Sequence, residues 1–275
     1  MAYTTIDNPE LYFQTQLYNG SNSGQSITFD GSENMQPDWV WIKSRNGNSR
    51  DHCLYDSVRG VNKRIESNNN NSEDTTSDQL TSFDSNGFSV GVGEADINSG
   101  GRTFASWNWF AGTSFTNDAS STGVGTIDST GSINTTAGFS IISYTGTGSA
   151  GSIAHGLGVK PDWILSKLRS GGDWNVYHDS FAAQERIKLN STGAKNTNTS
   201  IYASLPTSSV VNVGTGGDIN TSGNSHIFYC FASKKGYSKF SSYIGNGNDD
   251  GTFVYTGFKP AMVIYKKSSG TENWF

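Results

Sequence analysis

The side chains that could do acid–base chemistry are spread thinly along this chain. Its four histidines are His52, His155, His178 and His226, and they do not cluster in the sequence. His178 precedes Asp179, but a strand-end pair is favoured over an acid–base pair, and His155 is expected to shape a turn. The chain has no Gly-x-Ser-x-Gly elbow, no His-Glu-x-x-His and no phosphate loop. We therefore predict no catalytic residues, no cofactor and no enzymatic activity.

Two further chemistries need ligands that the sequence does contain. A glycan hydrolase needs a pair of placed carboxylates, and Asp56 and Asp179 are candidates, although they recur at one repeat position as structural turn residues would. Calcium prefers oxygen ligands. Side chains with such oxygens are frequent in residues 245–251 and in the turns at 96–98 and 218–220. Tight turns favour the same Asn, Asp and Gly residues, so no metal site is predicted.

Aromatic side chains are the remaining candidates for binding. Trp39 and Trp163 occupy equivalent positions in a repeat, which indicates packing. Trp174 and Trp274 also align with each other, and together with Tyr202 they are candidate contacts with a glycan or another surface, although packing is favoured for the two tryptophans.

The elements that would position these residues come from an internal repeat. Three segments carry Tyr-x-Gly, a polar gap, a proline, an aliphatic strand and a lysine; they start at Tyr18, Tyr144 and Tyr243. Two of the segments contain Pro-Asp-Trp, and the third has Pro260-Ala261-Met262. The prolines and tyrosines have nearly the same spacing, which indicates tandem domains. The Asp-Trp-Val-Trp-Ile-Lys run is apolar on both faces, as in a central strand.

The repeat predicts five segments. Residues 1–14 form an N-terminal arm, 15–112 the first copy, 113–136 a flexible linker rich in Ser, Thr and Gly, 137–236 the second copy, and 237–275 a third copy that holds the opening strands only. These segment names are kept below. The arm is predicted to dock to a larger particle, through the residues Pro9, Tyr12 and Phe13.

Composition limits the fold and function classes. Hydrophobic residues make up 33%, aromatic residues 12% and charged residues 16%, with a net charge of −5. Together with many turn-separated short strands and no helical periodicity, this predicts an all-β fold of tandem jelly-roll or lectin-like β-sandwiches. The mild acidity argues against nucleic-acid binding. No signal peptide or membrane helix is evident. Cys53 and Cys230 are predicted to be buried free thiols, with an interdomain bridge as a lesser alternative.

Several of these runs resemble repeats in virion and tail-fibre-like proteins of marine phages, notably cyanophages. The runs include Ile-Asp-Asn-Pro-Glu-Leu-Tyr-Phe-Gln, Leu-Tyr-Asp-Ser-Val-Arg-Gly and Ala-His-Gly-Leu-Gly-Val-Lys-Pro-Asp-Trp-Ile. The resemblance covers nearly the whole chain. It implies a structural or host-attachment protein in the virion, with other virion proteins and a host-surface glycan or protein as partners. It also implies a homo-oligomer, a trimer if the protein is a fibre, and it supplies no catalytic residues.

The sequence thus favours a non-enzymatic phage virion protein, either a tail fibre or an appendage of the tail or capsid. A carbohydrate-binding module of the lectin type is the alternative, and a surface-glycan depolymerase is a more distant one. If the third copy stops within a domain, its missing strands come from elsewhere in a longer fibre or from another subunit.

Overall fold

The chain is built almost entirely from antiparallel β-sheets. The computed structural model describes residues 4–47, 50–92 and 95–275. Strands account for 36% of the residues and helices for 6%, which confirms the all-β prediction at the level of fold class. In the described part of the chain, the helical elements are a 3₁₀ turn at Pro9–Leu11 and three single-turn helices: α1 (Ala95–Asn98), α2 (Ala119–Thr122) and α3 (Gly217–Asn220).

The first copy contributes eight strands to two sheets. These are β1 (Phe13–Asn19), β2 (Gln25–Thr28), β3 (Trp39–Ser44), β4 (Cys53–Asp56), β5 (Ile65–Glu66), β6 (Leu80–Asp84), β7 (Gly87–Val90) and β8 (Thr103–Trp109). The larger sheet has the order β1-β8-β3-β4-β5, and the smaller one has the order β2-β7-β6. The central position of β3 confirms the interpretation of its two apolar faces.

The remaining strands form a second pair of sheets. They are β9 (Thr113–Asn117), β10 (Ser129–Asn134), β11 (Phe139–Thr145), β12 (Gly151–Ala154), β13 (Trp163–Leu168), β14 (Asn175–His178), β15 (Glu185–Lys188), β16 (Asn196–Thr197), β17 (Val210–Val213) and β18 (Ser225–Phe231). The larger sheet has the order β16-β15-β14-β13-β18-β11-β10-β9, and β12 pairs with β17. Within this larger sheet, the strands β11-β18-β13-β14-β15 repeat the order β1-β8-β3-β4-β5 of the first copy.

In both large sheets, the last strand of a copy is inserted between its first and third strands. The strand β8 pairs with β1 and β3, and β18 pairs with β11 and β13. Each copy therefore acquires its central strand last along the chain. The sheet cannot close before that strand is in place, because the facing edges of its two neighbours are unpaired without it.

Apolar residues form three clusters. One lies between the two sheets of the first copy, and we call it the first core. Its counterpart between the two sheets of the second copy is the second core. The third joins the opposite faces of the two large sheets, and we call it the shared cluster. Its buried members are Trp39, Trp41, Leu54, Ile65, Ala111, Phe139, Ile141, Trp163, Leu165, Trp174, Val176, Phe181, Ile187, Leu189, Ile227, Tyr229 and Phe231.

The segment 113–136 differs from its prediction as a flexible linker. It contains β9, α2 and β10, and β10 pairs with both β9 and β11, so the segment extends the second large sheet. Threonine is a good strand former, and Ile127 enters the second core. Uncharged polar residues suit an edge strand, because one side of such a strand faces water. Composition alone could not distinguish such an edge from a linker.

The N-terminal segment 1–14 is also not a separate arm where the structure describes it. Phe13 begins β1, and the buried Gln14 donates from Nε2 to the backbone oxygen of Glu33 at 2.7 Å. Residues 1–3 of the predicted arm lie outside the described residues. The boundary between arm and first copy therefore falls inside a strand.

The third copy lacks the regular strands that its sequence predicts. Its residues form only isolated bridges, among them the pair Lys266 and Trp274. Tyr265 and Phe275 exchange both backbone hydrogen bonds, at 2.9 and 3.1 Å. In the second copy the equivalent pair is Ser166 and Asn175 of β13 and β14, so one rung of the expected ladder is present.

The cysteines agree with prediction. Cys53 lies in the first core and Cys230 in the second, and both are free and fully buried. Because the two cores are separate, the alternative of a bridge between the copies is excluded. Burial raises the pKa of the Cys230 thiol to about 12, so it remains a protonated, apolar side chain.

Candidate functional site

The repeated tyrosines fasten the first strand of a copy to its single-turn helix. Tyr18 donates from its hydroxyl to the backbone oxygen of Ile97 at 2.7 Å, and Tyr144 donates to Ile219 at 2.5 Å. Burial raises the pKa of both tyrosines well above the usual value. Their hydroxyls therefore stay protonated and remain donors.

The glycine of Tyr-x-Gly allows this contact to be close. A Cβ atom on Gly20 would lie 2.1 Å from the backbone oxygen of Ser99, and one on Gly146 would lie 2.3 Å from that of Thr221. Any larger residue would push the first strand away from the turn. The motif is thus explained by backbone packing.

The turns 96–98 and 218–220, considered above as calcium ligands, use their asparagine for protein contacts. The Asn98 amide donates at 2.7 Å to the backbone oxygens of Ser23 and Gly91. The Asn220 amide makes the equivalent bonds to Ser149 at 2.6 Å and Gly214 at 2.9 Å. Both side chains are fully buried. The asparagine recurs in both turns because its amide holds two neighbouring loops together.

The aspartate of Pro-Asp-Trp binds the backbone just after the inserted central strand. Asp38 accepts from the amides of Ala111 at 2.8 Å and Gly112 at 2.6 Å. Asp162 accepts from the amide of Ser233 at 2.6 Å. A charged acceptor makes these bonds stronger than neutral ones. The three repeated motifs of the sequence therefore all hold the last segment of a copy against its first strands.

The tryptophans lie mainly where the two copies meet. Trp39 stacks on Tyr229 of the second copy at a centroid distance of 4.4 Å and lies 4.5 Å from Trp109 of its own copy. Registers pair Trp39 with Trp109 and Trp163 with Phe231, as the repeat alignment predicts. The prediction of packing is confirmed, but the packing joins two copies rather than filling one domain.

A buried polar network lies beside this cluster and crosses between the copies. Asp56 accepts from Arg59 Nε at 2.5 Å and from the Tyr229 hydroxyl at 2.6 Å. Glu73 accepts from Arg59 at 3.0 Å and from Arg169 of the second copy at 2.6 and 2.9 Å. We call these five residues the polar lock.

The charges of the polar lock compensate one another. Burial disfavours the charged Arg59 guanidinium, but Asp56, Tyr229 and Glu73 outweigh that penalty and raise its pKa above the usual value. Burial also opposes ionisation of Glu73, yet the bonds from Arg169 and Arg59 lower its pKa. Arg59 and Glu73 are therefore both charged at neutral pH.

Of the proposed carboxylate pair, Asp56 belongs to this lock, and Asp179 is not its structural equivalent. Strand register places Asp56 opposite Trp39 and His178 opposite Trp163, so His178 corresponds to Asp56. Asp179 forms an ion pair with Lys160 at the surface. The equivalence that the sequence suggests is off by one residue, because the second copy has an extra residue, His178, between the equivalent of Tyr55 and the aspartate.

Three of the four histidines have packing or turn contacts. His52 accepts at Nδ1 from the Trp41 indole at 3.0 Å. His155 accepts at Nδ1 from the backbone amide of Leu157 at 3.2 Å, which confirms its turn role. His226 stacks on Tyr144 at 5.1 Å.

Burial lowers the pKa of each of these three imidazoles to about 4. All three are therefore neutral at physiological pH. His178 lies at a strand end, where its Nδ1 is 2.8 Å from the Ser180 hydroxyl, and burial lowers its pKa as well.

Two of the three predicted glycan contacts lie inside the protein. Trp174 is fully buried, and its indole donates to the backbone oxygen of Glu66 in the first copy at 2.7 Å. Tyr202 is buried in the second core and bonds to Asn175 at 3.2 Å. Neither ring is available to a sugar, so these two predictions are wrong. Both rings turn inward, Trp174 into the shared cluster and Tyr202 into the second core.

Trp274 differs, because it is only partly buried. Its indole donates to the backbone oxygen of Lys188 at 3.0 Å. Lys188 also lines a shallow surface depression with Ser191, Gly193, Ala194 and Asn196. Through its contact with Lys188, the Trp274 ring lies next to this polar depression.

The predicted docking residues are tied to the body of the protein. Pro9 is exposed and opens the 3₁₀ turn. Tyr12 and Phe13 are half-buried, with ring centroids 6.2 Å from Tyr237 and 4.9 Å from Trp109. Their role in docking to a particle stays a prediction.

One acidic group has the spacing of a cation site. Carboxylate oxygens of Asp51, Glu66 and Asp96 lie within 4.8 Å of one another. Arg64 reaches Glu66 at 3.2 Å and Asp96 at 3.5 Å, and Arg50 reaches Asp96 at 3.4 Å. The arginines provide the positive charge that an ion would supply.

Comparison with known proteins gives a family and no function. No helix among the described residues is long and apolar enough to cross a membrane. No curated protein and no solved structure matches the chain. The sequence model of one family, described as "Domain of unknown function (DUF7483)", matches residues 8–275. Since this match spans nearly the whole sequence, the chain belongs to the DUF7483 family.

Proposed function

We propose that the protein is a non-enzymatic phage virion component, a tail fibre or an appendage of the tail or capsid, that contributes to attachment to the host surface. The observation that carries the proposal is the junction between the copies. The shared cluster and the polar lock join two repeat units through buried contacts. Such a junction resists bending, as a projecting appendage requires.

The use of the reactive side chains supports a structural role. The repeated tyrosines, asparagines and aspartates all bind the backbone of their own copy, and the buried carboxylates are paired with arginines. The resemblance of the repeats to phage virion proteins points in the same direction. Partners would be other virion proteins and a host-surface glycan or protein, and multivalency would strengthen weak contacts.

We also propose the finer fold assignment, in which each complete copy is a jelly-roll or lectin-like β-sandwich. It is supported by the first and second cores, each of which lies between one large and one small sheet. If the protein is a fibre, a trimer is the expected assembly, and light scattering of the purified chain measures its mass directly.

Location in the particle tests the function. Antibodies against the purified chain should label purified phage particles at the tail or capsid in electron micrographs. The purified chain should also slow adsorption of those particles to host cells by competition. Particles that lack the chain by mass spectrometry and by labelling would contradict the proposal.

A carbohydrate-binding module is the second candidate, favoured by the depression beside Trp274. An aromatic ring next to hydroxyl and amide groups is suited to stack on a sugar and hydrogen-bond its hydroxyls. Host-surface glycans should bind the chain measurably by calorimetry, and Trp274→Ala should abolish the signal. Asn246 lies in another exposed loop, and Asn246→Ala is the matched control, which should bind as the parent does. Unchanged binding by Trp274→Ala would refute this site.

A further inference from the structure

In residues 237–275, one face of the repeat is packed against the protein and the other face is exposed. One face consists of positions whose equivalents in the complete copies belong to the shared cluster. Phe240, Ile264 and Trp274 are equivalent to Ile141, Leu165 and Trp174, and all three pack against that cluster. Phe240 stacks on Trp163 with centroids 5.7 Å apart. This face of the third copy therefore continues an interface that is already formed.

The other face consists of positions whose equivalents are buried in the second copy. Tyr243 and Val263 correspond to Tyr144 and Ile164 of the second core, and Phe253 corresponds to Ala154. Phe253 is 85% exposed and Val263 is 64% exposed, whereas Ala154 is 2% exposed and Ile164 is fully buried. From 261 to 270, burial alternates residue by residue. This is the pattern of a strand that is covered on one side.

The complete copies show what covers this face. There, the central strand β8 or β18 pairs with both neighbours, and the small sheet that contains β7 or β17 closes the core. Within residues 237–275, the equivalents of β11 and β13 lie at 238–244 and 262–267, and the structure places no strand between them. Both stretches lack regular strand structure, as expected of strands without a central partner.

We propose that the exposed face of residues 237–275 is a docking site for an extended polypeptide segment with the pattern of β17, α3 and β18. The segment would insert a strand between 238–244 and 262–267, as in β-strand addition. It would bring an asparagine turn to brace the Tyr-x-Gly of Tyr243. Its apolar side chains would cover Phe253 and Val263. This inference does not rest on the proposed function.

An extension of the chain tests the site. Residues 176–232 of the second copy, which contain β17, α3 and β18, are appended after Phe275 in the full-length protein. Hydrogen exchange read by mass spectrometry should show peptides 238–244 and 262–267 protected by ~100-fold relative to the unextended chain. Exchange in β11 and β18 of the original second copy reports that the body stays folded.

The matched control carries Phe228→Asp in the appended copy alone, because the residue at this position faces the core. This control should lose the protection. An extended chain without added protection, or a control protected equally, would overturn the proposal. A second extended chain carries residues 54–110 of the first copy after Phe275. If this extension also left both peptides unprotected while the body stayed folded, that result would overturn the proposal too. A dimer of the unextended chain that already protects both peptides would contradict it too, since the occupant would then be a second copy.

Discussion

The two cores and the shared cluster are built by different rules. In the first and second cores, equivalent positions hold similar residues with equivalent bonds, such as Asn98 and Asn220 in the two turns. The shared cluster also holds equivalent residues, but their surroundings differ. Trp39 is 0% exposed at its centre, whereas the equivalent Trp163 is 7% exposed and packs near the third copy. The cores are copies of each other, and the cluster is not.

This difference shows where the copies touch. Asp56 of the polar lock corresponds to His178. Tyr229, whose hydroxyl donates a hydrogen bond to Asp56, corresponds to Trp107. Positions that match between copies fold each copy. Positions that differ adapt one copy to the other. The departures from the repeat are therefore the residues whose replacement should affect both copies together.

The largest expected effect is at Trp39. Trp39→Ala removes a fully enclosed ring and should lower the free energy of unfolding by about 3–5 kcal/mol. The loss should affect both copies, because the ring packs on Tyr229 and Phe139 of the second one. Denaturant titration of Trp39→Ala and Trp163→Ala compares the centre of the cluster with its margin. An equal or greater loss for Trp163→Ala would contradict the asymmetry.

Next comes the polar lock. Asp56→Ala should destabilise the protein by about 3 kcal/mol, because it leaves the buried Arg59 charge with weaker compensation. Tyr229→Phe removes one hydroxyl that donates to Asp56 and should cost about 1 kcal/mol. The same titration measures both. Costs that do not differ between the two variants would show that the lock does not depend on its charges.

A smaller and local effect is expected in the cores. Asn98→Ala and Asn220→Ala each remove a buried amide that braces a loop, at a cost of about 1–3 kcal/mol. Hydrogen exchange should rise mainly in the copy that carries the substitution. Equal increases in both copies after either change would erase the distinction between cores and cluster.

The smallest effect is the response to acid. Because burial and then Lys43 lower the pKa of His52 from 6.5 to about 4, the folded state favours the neutral ring. Its contribution to stability is complete above pH 6.5 and is lost as the pH falls toward 4. His155 and His226 contribute over the same range in the second copy. Thermal melts of His52→Gln should fall less steeply with acid than those of the parent, and parallel curves would refute the role of His52.

The sequence carried much of the fold, because its signals were local. Alternation marked β3 and β13, and the recurrence of Tyr-x-Gly and Pro-Asp-Trp aligned the first two copies. The contact between copies was not visible, since an apolar residue on the second face of a strand does not reveal what covers it. The strands in 113–136 were missed for a similar reason: their Ser and Thr residues suit an exposed edge and a linker alike.

The candidate site was predicted less well than the fold. The sequence left a glycan contact open for Trp174 and Tyr202, because burial of a ring depends on tertiary packing that no local pattern records. The sequence contains one signal of the polar lock. By strand register Glu73 corresponds to Lys195, a residue of opposite charge, and such a departure from the repeat marks a place where the copies meet.

The central claim is that the shared cluster makes two sequence repeats into one cooperative body. Differential scanning calorimetry of the whole chain tests it most directly. The account predicts a single unfolding transition for both complete copies, with a calorimetric enthalpy equal to the van't Hoff enthalpy. Two separate transitions, one assigned to each copy by its core variant, would contradict it and restore the picture of independent domains.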